Sequence, residues 1–463
     1  MCLGWFLVMV DTTVVTVALP AIGAGLGGGT GLLQWVVDAY ALAFAGLLLT
    51  GGALADRFGA RPVYLGGTVV FAVGSVGCAL AGTGAALVAA RALQGVGAAA
   101  LMPSSLSLIR AAYPDARRQA RAVGIWGGLG GVAAALGPLL GGALLTAVSW
   151  LALFWLNLPL ALVTLFLARR FREERGGAVP GDGARGEGPG PGRGRAPGGR
   201  RGGGFDVWGQ GVAFAALVLS VAGVIRLGHA GGGGELASGA ALTVAGVALG
   251  IAFPYVERRQ PSPVVPPGLF RRSCLRVAVV TGFAVNFGFY GQFFLVTLYV
   301  QQVRGLSSLM TGLLLAVQAG GAVAGAPFGG WATNRFGPRT TTLVGLVLGT
   351  AGFLALAVSD AGWGLGWLAL ALFAIGFSID TAMTAVTALV LRIAPRGQAG
   401  VATGLLTTMR QVGSALGIAV LGAVAAVAGG AGGEDGFRVA MAVAGAAYLL
   451  SAVAVRIAAP GGR

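Results

Sequence analysis

Residues 51–61 read GGALADRFGAR, and residues 329–339 read GGWATNRFGPR. The two stretches agree at six of eleven positions, at an offset of 278 residues. Each is a charged, glycine-rich hairpin in a chain that is 56% hydrophobic and 10% charged. Farther along, VAAALGPLLGGA (132–143) and VGSALGIAVLGA (412–423) agree at six of twelve, at an offset of 280. Two matches at nearly one offset divide the sequence into halves of like build, residues 1–168 and 276–463.

The material between the hairpins sets the class. Mean hydropathy is +0.84 over 463 residues, whereas soluble globular chains carry about 25% charged residues. Apolar runs of roughly 18 residues or more recur throughout, each long enough to cross a bilayer core. The alternating pattern of barrel strands is absent, so the expected fold is an all-α polytopic membrane protein. Turn signals and Arg clusters separate fourteen spans, near 3–22, 33–53, 62–82, 86–109, 121–145, 150–168, 207–227, 238–256, 276–301, 308–331, 340–358, 363–391, 399–427 and 438–457. Residues 169–206, rich in Gly, Arg and Pro, are expected to form a disordered basic linker. Spans 207–256 fall outside the repeat and read as an inserted pair, followed by a second linker, 257–275. Residues 1–20 lack a basic leader and are read as the first span, with a short cytoplasmic lead expected before residue 1.

The net charge of +16 invites a nucleic-acid reading, but its distribution points to topology. Of 31 Arg residues, 26 fall in one set of alternate loops; Arg226, Arg304 and Arg438 fall in the other, and Arg91 and Arg410 lie inside spans. The richer set is cytoplasmic by the positive-inside rule, which puts both termini there and leaves nucleic acid without a role. The linker's Arg residues also suit anionic lipid. Cys2, Cys78 and Cys274 show no metal-ligand spacing, and the lone His229 reads as a loop residue, so neither metal nor cofactor is expected. An even number of spans separates the halves, which gives parallel repeats of six; in transporters so built, the site lies between the halves near the midplane.

In order along the chain, several motifs carry a family resemblance. GALADRFGAR resembles the loop between spans 2 and 3 of the major facilitator superfamily, through Gly52, Asp56, Arg57, Gly59 and Arg61, with Ala60 where a second basic residue is usual. RALQGVGAA (91–99) resembles its span 4 motif, and GPLLGG (137–142) its span 5 antiporter signature. VDTTVVTVALP (10–20, with Thr16 in place of a usual Asn) and MRQVGSALG (409–417) resemble spans 1 and 13 of the fourteen-span drug:proton antiporter branch. WLALFWLNLP (150–159) is similar to the span 6 entry without its usual Arg. The resemblance covers nearly the whole chain and implies a secondary transporter rather than an enzyme.

Candidate residues follow from cost. An ionisable side chain inside a span marks a pathway by default. Asp11, about 14 Å along a straight helix from Pro20, is expected to handle a proton or cationic substrate; accepting bonds from Thr12 and Thr13 is the plainer alternative. Arg91 needs a partner, which could be Asp11, Asp38, Gln94 or backbone. Asp380 and Arg410 lie about 18 Å deep and are expected either to couple to protons or to form a static pair. The loop residues Gly52, Asp56, Arg57, Gly59 and Arg61, with Arg335 and Arg339 of the second copy, are expected to form a conformational latch between the halves. The bland alternative is a turn that sets topology. Asn334 replaces the acid in the second copy. Gly137, Pro138, Gly141 and Gly142 suit a span 5 hinge or proton seal. Asn286, Tyr290, Gln292 and Phe293, with Phe289 and Phe294, are weak candidates for a substrate cavity.

The expectation is a proton-driven exporter of hydrophobic or cationic small molecules in the bacterial cytoplasmic membrane, a monomer with lipid, protons and substrate as its partners. A proton symporter for sugars or organic anions is the alternative within transport. A non-transporting membrane sensor is the alternative outside it. Without Lys there is no Walker A sequence for an ATP-driven pump.

Overall fold

The computed structural model describes residues 1–113, 115–170, 207–259, 273–360, 362–393, 399–429 and 433–458. The linkers expected at 169–206 and 257–275 lie largely outside them. Helices α1 (Cys2–Val17), α2 (Leu19–Leu26), α3 (Thr30–Phe58), α4 (Ala60–Ala79), α5 (Gly84–Ala112), α6 (Ala116–Ala147) and α7 (Leu151–Arg170) make the first half. Then come α8 (Val207–Gly228) and α9 (Gly233–Arg259). The second half holds α10 (Ser273–Leu298), a π-helical turn (Tyr299–Val303), α11 (Ser308–Phe336), α12 (Pro338–Ala357), α13 (Leu365–Ile393), α14 (Ala399–Val427) and α15 (Glu434–Ala458). Among the described residues, thirteen helices are long and apolar enough to span a membrane, and the bent pair α1–α2 makes a fourteenth. The molecule is a multi-pass helical membrane protein.

The first span departs from the straight helix expected over 3–22. It bends by 63° between α1 and α2, because Pro20 in the first turn of α2 has no N–H to continue the ladder. The straight run past Asp11 therefore ends at Val17, about 9 Å away rather than 14. The ninth span likewise ends in the π-helical turn, which carries Gln301.

The packing repeats with the sequence. In the first half α1 packs on α6, α3 on α5, α4 on α5, and α4 on α7. In the second, α10 packs on α14, α11 on α13, α12 on α13, and α12 on α15. Two seams join the halves, α6 with α11 and α3 with α14, and each maps onto the other under the same correspondence. Close approach along these pairs needs small residues: a Cβ on Gly97 would lie 2.6 Å from Phe71 N, and one on Gly345 2.9 Å from Ala382 N.

The duplicated hairpin now has a physical reason. Gly59 sits at φ 93, ψ 144 between α3 and α4, and Gly337 at φ 84, ψ 159 between α11 and α12. An L side chain is strained in that region, so both turns require glycine. Two residues on, Arg61 donates to the carbonyls of Ala168 (3.3 Å) and Arg169 (2.7 Å) at the end of α7. Arg339 donates to the Arg456 carbonyl (2.6 Å) near the end of α15. Each Arg satisfies carbonyls that a helix C-terminus leaves open and ties the third helix of its half to the last.

Candidate functional site

Two features concentrate the chemistry: a buried polar cluster inside the first half and a cavity between the halves.

The cluster centres on Asp11 and Arg91, 0% and 1% exposed. Arg91 Nη1 lies 2.6 Å from Asp11 Oδ2 and also donates to Gln94 Oε1 (2.9 Å), while Nε donates to the Val36 carbonyl (3.1 Å). The guanidinium lies 4.3 Å from the centre of the Tyr40 ring. Asp11 Oδ1 accepts from Asn157 Nδ2 (2.7 Å) and Gln94 Nε2 (3.1 Å). Both amides also donate to Ser75 Oγ, at 2.8 Å from Gln94 and 3.3 Å from Asn157. The alternatives for Arg91 thus resolve into Asp11, Gln94 and backbone together, without Asp38. Helices α1, α3, α4, α5 and α7 all contribute to one network, which holds a charge pair out of water by saturating it with hydrogen bonds.

The cavity, about 430 Å³, lies between the halves and takes walls from α1, α3, α6, α10, α11, α13 and α14. Thr12, Thr13 and Thr16 line it from α1, directly behind Asp11, and Phe289, Tyr290 and Phe293 line it from α10. Asp380 is the one carboxylate among its described lining residues. The cavity is thus mostly apolar and aromatic, with one anionic group and a row of hydroxyls, the general make-up of a site for bulky small molecules.

One end of this cavity is sealed. Gly142 of α6 lies against Ser308 and Leu309 of α11, and Pro138 lies against Gly312. Gln301 Nε2, on the π-helical turn, donates to the Val17 carbonyl (3.0 Å) at the bend of α1. Gln34 Nε2 of α3 donates to the Ile418 (3.1 Å) and Ala419 (3.2 Å) carbonyls of α14. Each half therefore closes on main-chain oxygens of the other through one glutamine amide. Toward the opposite face, Gly124, Gly127 and Gly128 line the cavity, and a Cβ on any of them would meet nothing within 4 Å.

The remaining candidates fall as follows. Among the described residues Asp380 and Arg410 form no ion pair; Arg410 instead packs its stem against Gly282 of α10, and its Nε has no hydrogen-bond partner there. Asp56, Arg57 and Arg335 are exposed at the open face, and Asp56 neither caps α4 nor enters an ion pair among the described residues. Gly52 lies near Pro103 of α5 (3.8 Å from a Cβ position). Gly137 and Gly141 pack on Thr13 and Val14 of α1, and α6 runs unbroken through Pro138. Tyr290 and Phe293 line the cavity, with Phe289 and Phe294, but Asn286 and Gln292 do not. Asn286 bonds the Gly282 carbonyl of its own helix (3.0 Å), and Gln292 pairs with Gln318 of α11 (2.7 Å), both fully inside the second half.

Sequence reasoning missed Asn157 and Ser75 of the cluster and the glutamines of the seal. An amide in an apolar span was the available signal for Asn157 and Gln34. The partner of Gln301 is a carbonyl, which leaves no trace in residue type.

Residues 1–418 match the family described as the Major Facilitator Superfamily. The chain is 36% identical to the tetracenomycin C resistance and export protein of Streptomyces glaucescens, over 91% of this chain and 74% of that one. It is 31% identical to the methylenomycin A resistance protein of Bacillus subtilis (98% and 92%), and 36% to the cephamycin export protein CmcT of Amycolatopsis lactamdurans (91% and 82%). Among solved structures, a bacterial homolog of the human lysosomal transporter Spinster, inward-facing and unoccupied, matches with a TM-score of 0.66 at 17% identity, over 99% of this chain and 95% of that one.

Proposed function

The chain belongs to the major facilitator superfamily, and from that premise we propose that it exports hydrophobic or cationic small molecules by proton-coupled alternating access. The observation that carries the reading is the cavity between the halves, sealed at one end by cross-half amide bonds and walled by aromatics, hydroxyls and Asp380. The resistance and export functions in the names of its relatives support the direction of transport. With the Arg-rich loops on the cytoplasmic side of a bacterial plasma membrane, and both termini there, the sealed end faces outward and the open end faces the cytoplasm. Substrate enters from inside, the halves rock, and the seal parts to release it.

Asp11 supplies the coupling in this reading. As a carboxylate it anchors Arg91, Asn157 and Gln94, and so fixes α1, whose Thr12, Thr13 and Thr16 form the cavity wall. A proton arriving on Oδ1 or Oδ2 removes the negative charge, releases Arg91 from its ion pair, and lets α1 shift against α5 and α7. Asp11 acts by positioning the wall, while Asp380 is the anionic group that meets a cationic substrate. The test is dye or antibiotic transport in everted vesicles energised by an acid interior. Substrate accumulation that collapses with the pH gradient supports export. Accumulation in the opposite sense, or none, overturns it.

A further inference from the structure

The mechanism above does not use the second fully buried acid of the first half. Asp38 lies on α3, one turn beyond Gln34, and is fully buried. Neither of its carboxyl oxygens has a hydrogen-bond partner among the described residues. Asp11 has three donors around it and Asp380 opens on the cavity; Asp38 has neither.

The helices packed on α3 are α1, α2, α4, α5, α8 and α14, and their ionisable groups are all engaged elsewhere or turned away. Asp11 and Arg91 hold each other. On α4, Tyr64 donates to the Met1 carbonyl, and Cys78 donates to Gln94. Arg226 of α8 and, just past that helix, His229 and Glu235 line a pocket with Gly31 and Trp35 at the start of α3. There His229 Nδ1 meets the Ile225 carbonyl (2.9 Å) rather than Asp38, and Arg410 of α14 packs against α10. The other charges on these helices, Asp56 and Arg57 on α3 itself, Arg61 and Arg110, lie at the far ends of their spans. Tyr40, on α3, lies under the Arg91 guanidinium.

A lone carboxylate in such a place costs several kcal/mol even after relaxation, and the group neutralises instead. Gln34, one turn before Asp38, bonds α14, and Leu42 and Ala45, one and two turns after it, cluster with Ala415 and Ala419 of α14. Asp38 therefore lies on the α3 face of that seam, and only the neutral acid fits there while the seam is sealed. The anion fits only where water reaches it, which means with α3 and α14 apart. The Gln34 clasp that closes this seam sits one turn away on the same helix.

We propose that Asp38 is a proton-binding site that controls closure of the α3–α14 seam. While the seam is open, an O–H bond forms on Asp38 with a proton from the solution at the sealed end. The neutral acid is then buried as the Gln34 amide engages the Ile418 and Ala419 carbonyls. Reopening returns the proton to the same solution. The inference rests on the reading that the halves rock, but on no particular substrate and not on Asp11. The closed state binds one proton more than the open state, so acid favours closure and alkali favours opening. One titrating group limits the change to tenfold in the closed-to-open ratio per pH unit.

The experiment uses the full chain in nanodiscs without substrate. Spin labels are placed by Leu80→Cys and Val427→Cys, exposed positions on the two halves at the sealed end, with the native cysteines changed to Ser. The distance between labels is followed from pH 5 to pH 9. The wild-type background is expected to move from short to long distances as pH rises. Asp38→Asn is expected to stay short throughout, and Asp38→Glu to restore a pH response. A response in Asp38→Asn equal to that of wild type overturns the assignment while leaving rocking intact. Labels that never separate, even in Gln34→Leu, overturn both the rocking and this site.

Discussion

Asp11→Asn is the sharpest perturbation of the polar cluster. The substitution keeps the shape and an acceptor oxygen for Asn157 or Gln94, but it leaves the Arg91 guanidinium, 1% exposed, without a counter-ion. Breaking one side of a buried ion pair costs about 3–5 kcal/mol, a large share of a total stability of about 5–15 kcal/mol. Arg91→Met is expected to cost a similar amount, because Asp11 is then an anion held by two amides alone. The double variant removes both charges together. Its cost is expected to stay within about 1 kcal/mol of wild type, so the coupling energy is about 5 kcal/mol or more. Reversible unfolding of the four proteins in mixed micelles gives this number directly. Single losses that add to within about 0.5 kcal/mol would falsify the claim that the pair is held as one desolvated unit. Transport then separates structure from coupling. If the pair is only a brace, the double variant, once folded, exports normally. If Asp11 is the coupling group, the double variant folds and its export no longer follows the pH gradient.

Three further outcomes are expected. Asp380→Asn should slow export of a permanently charged lipophilic cation such as tetraphenylphosphonium about tenfold, or about 1.4 kcal/mol, and leave a neutral substrate within twofold in the same vesicles; equal losses for both would remove the charge-selective role. Gly59→Ala and Gly337→Ala should each destabilise the protein by about 1–3 kcal/mol, since both turns sit at φ near 90° (93 and 84), and unaltered unfolding midpoints would show that other conformations serve. Gln301→Leu deletes the donor to the Val17 carbonyl. A loss of about 1 kcal/mol from closure, roughly fivefold in the open population, should appear as faster thiol labelling at the sealed end, and an unchanged rate would exclude that amide from the seal.

The architecture was legible because the bilayer constrains it so strongly. Helix number, the direction of the repeat and the tight turns at Gly59 and Gly337 all follow from hydropathy, Arg placement and one duplicated hairpin. Asp11 and Arg91 were legible for the same reason: a charge in a span must have a partner. Which partner was not, since Asp11, Asp38, Gln94 and backbone were all open, and the choice is made by the rotation of α1 against α5. Asn286 and Gln292 illustrate the opposite failure. Amides inside spans suggest a cavity, yet these two spend their hydrogen bonds within the second half, on Gly282 and Gln318. Residue type gives the need for a partner; helix rotation decides whether that partner is protein or ligand.

The inserted helices break the symmetry that the repeat creates. By correspondence the α3–α14 and α6–α11 seams should behave alike, but α8 lies along only the first. Its Leu217, Val221 and Ile225 form one apolar cluster with Leu42 and Ala45 of α3 and Ala415 and Ala419 of α14. The Thr50 hydroxyl donates to Gln210 near one end of α8, and Gly228 meets Ala423 near the other. A helix fastened to both halves resists their separation, so α3–α14 opens against added apolar contact that α6–α11 lacks. Hydrophobic contact of that kind is insensitive to pH. A seam stabilised in this way needs a separate device to release it, and a buried acid one turn from its clasp is placed where loss of a single proton would do so.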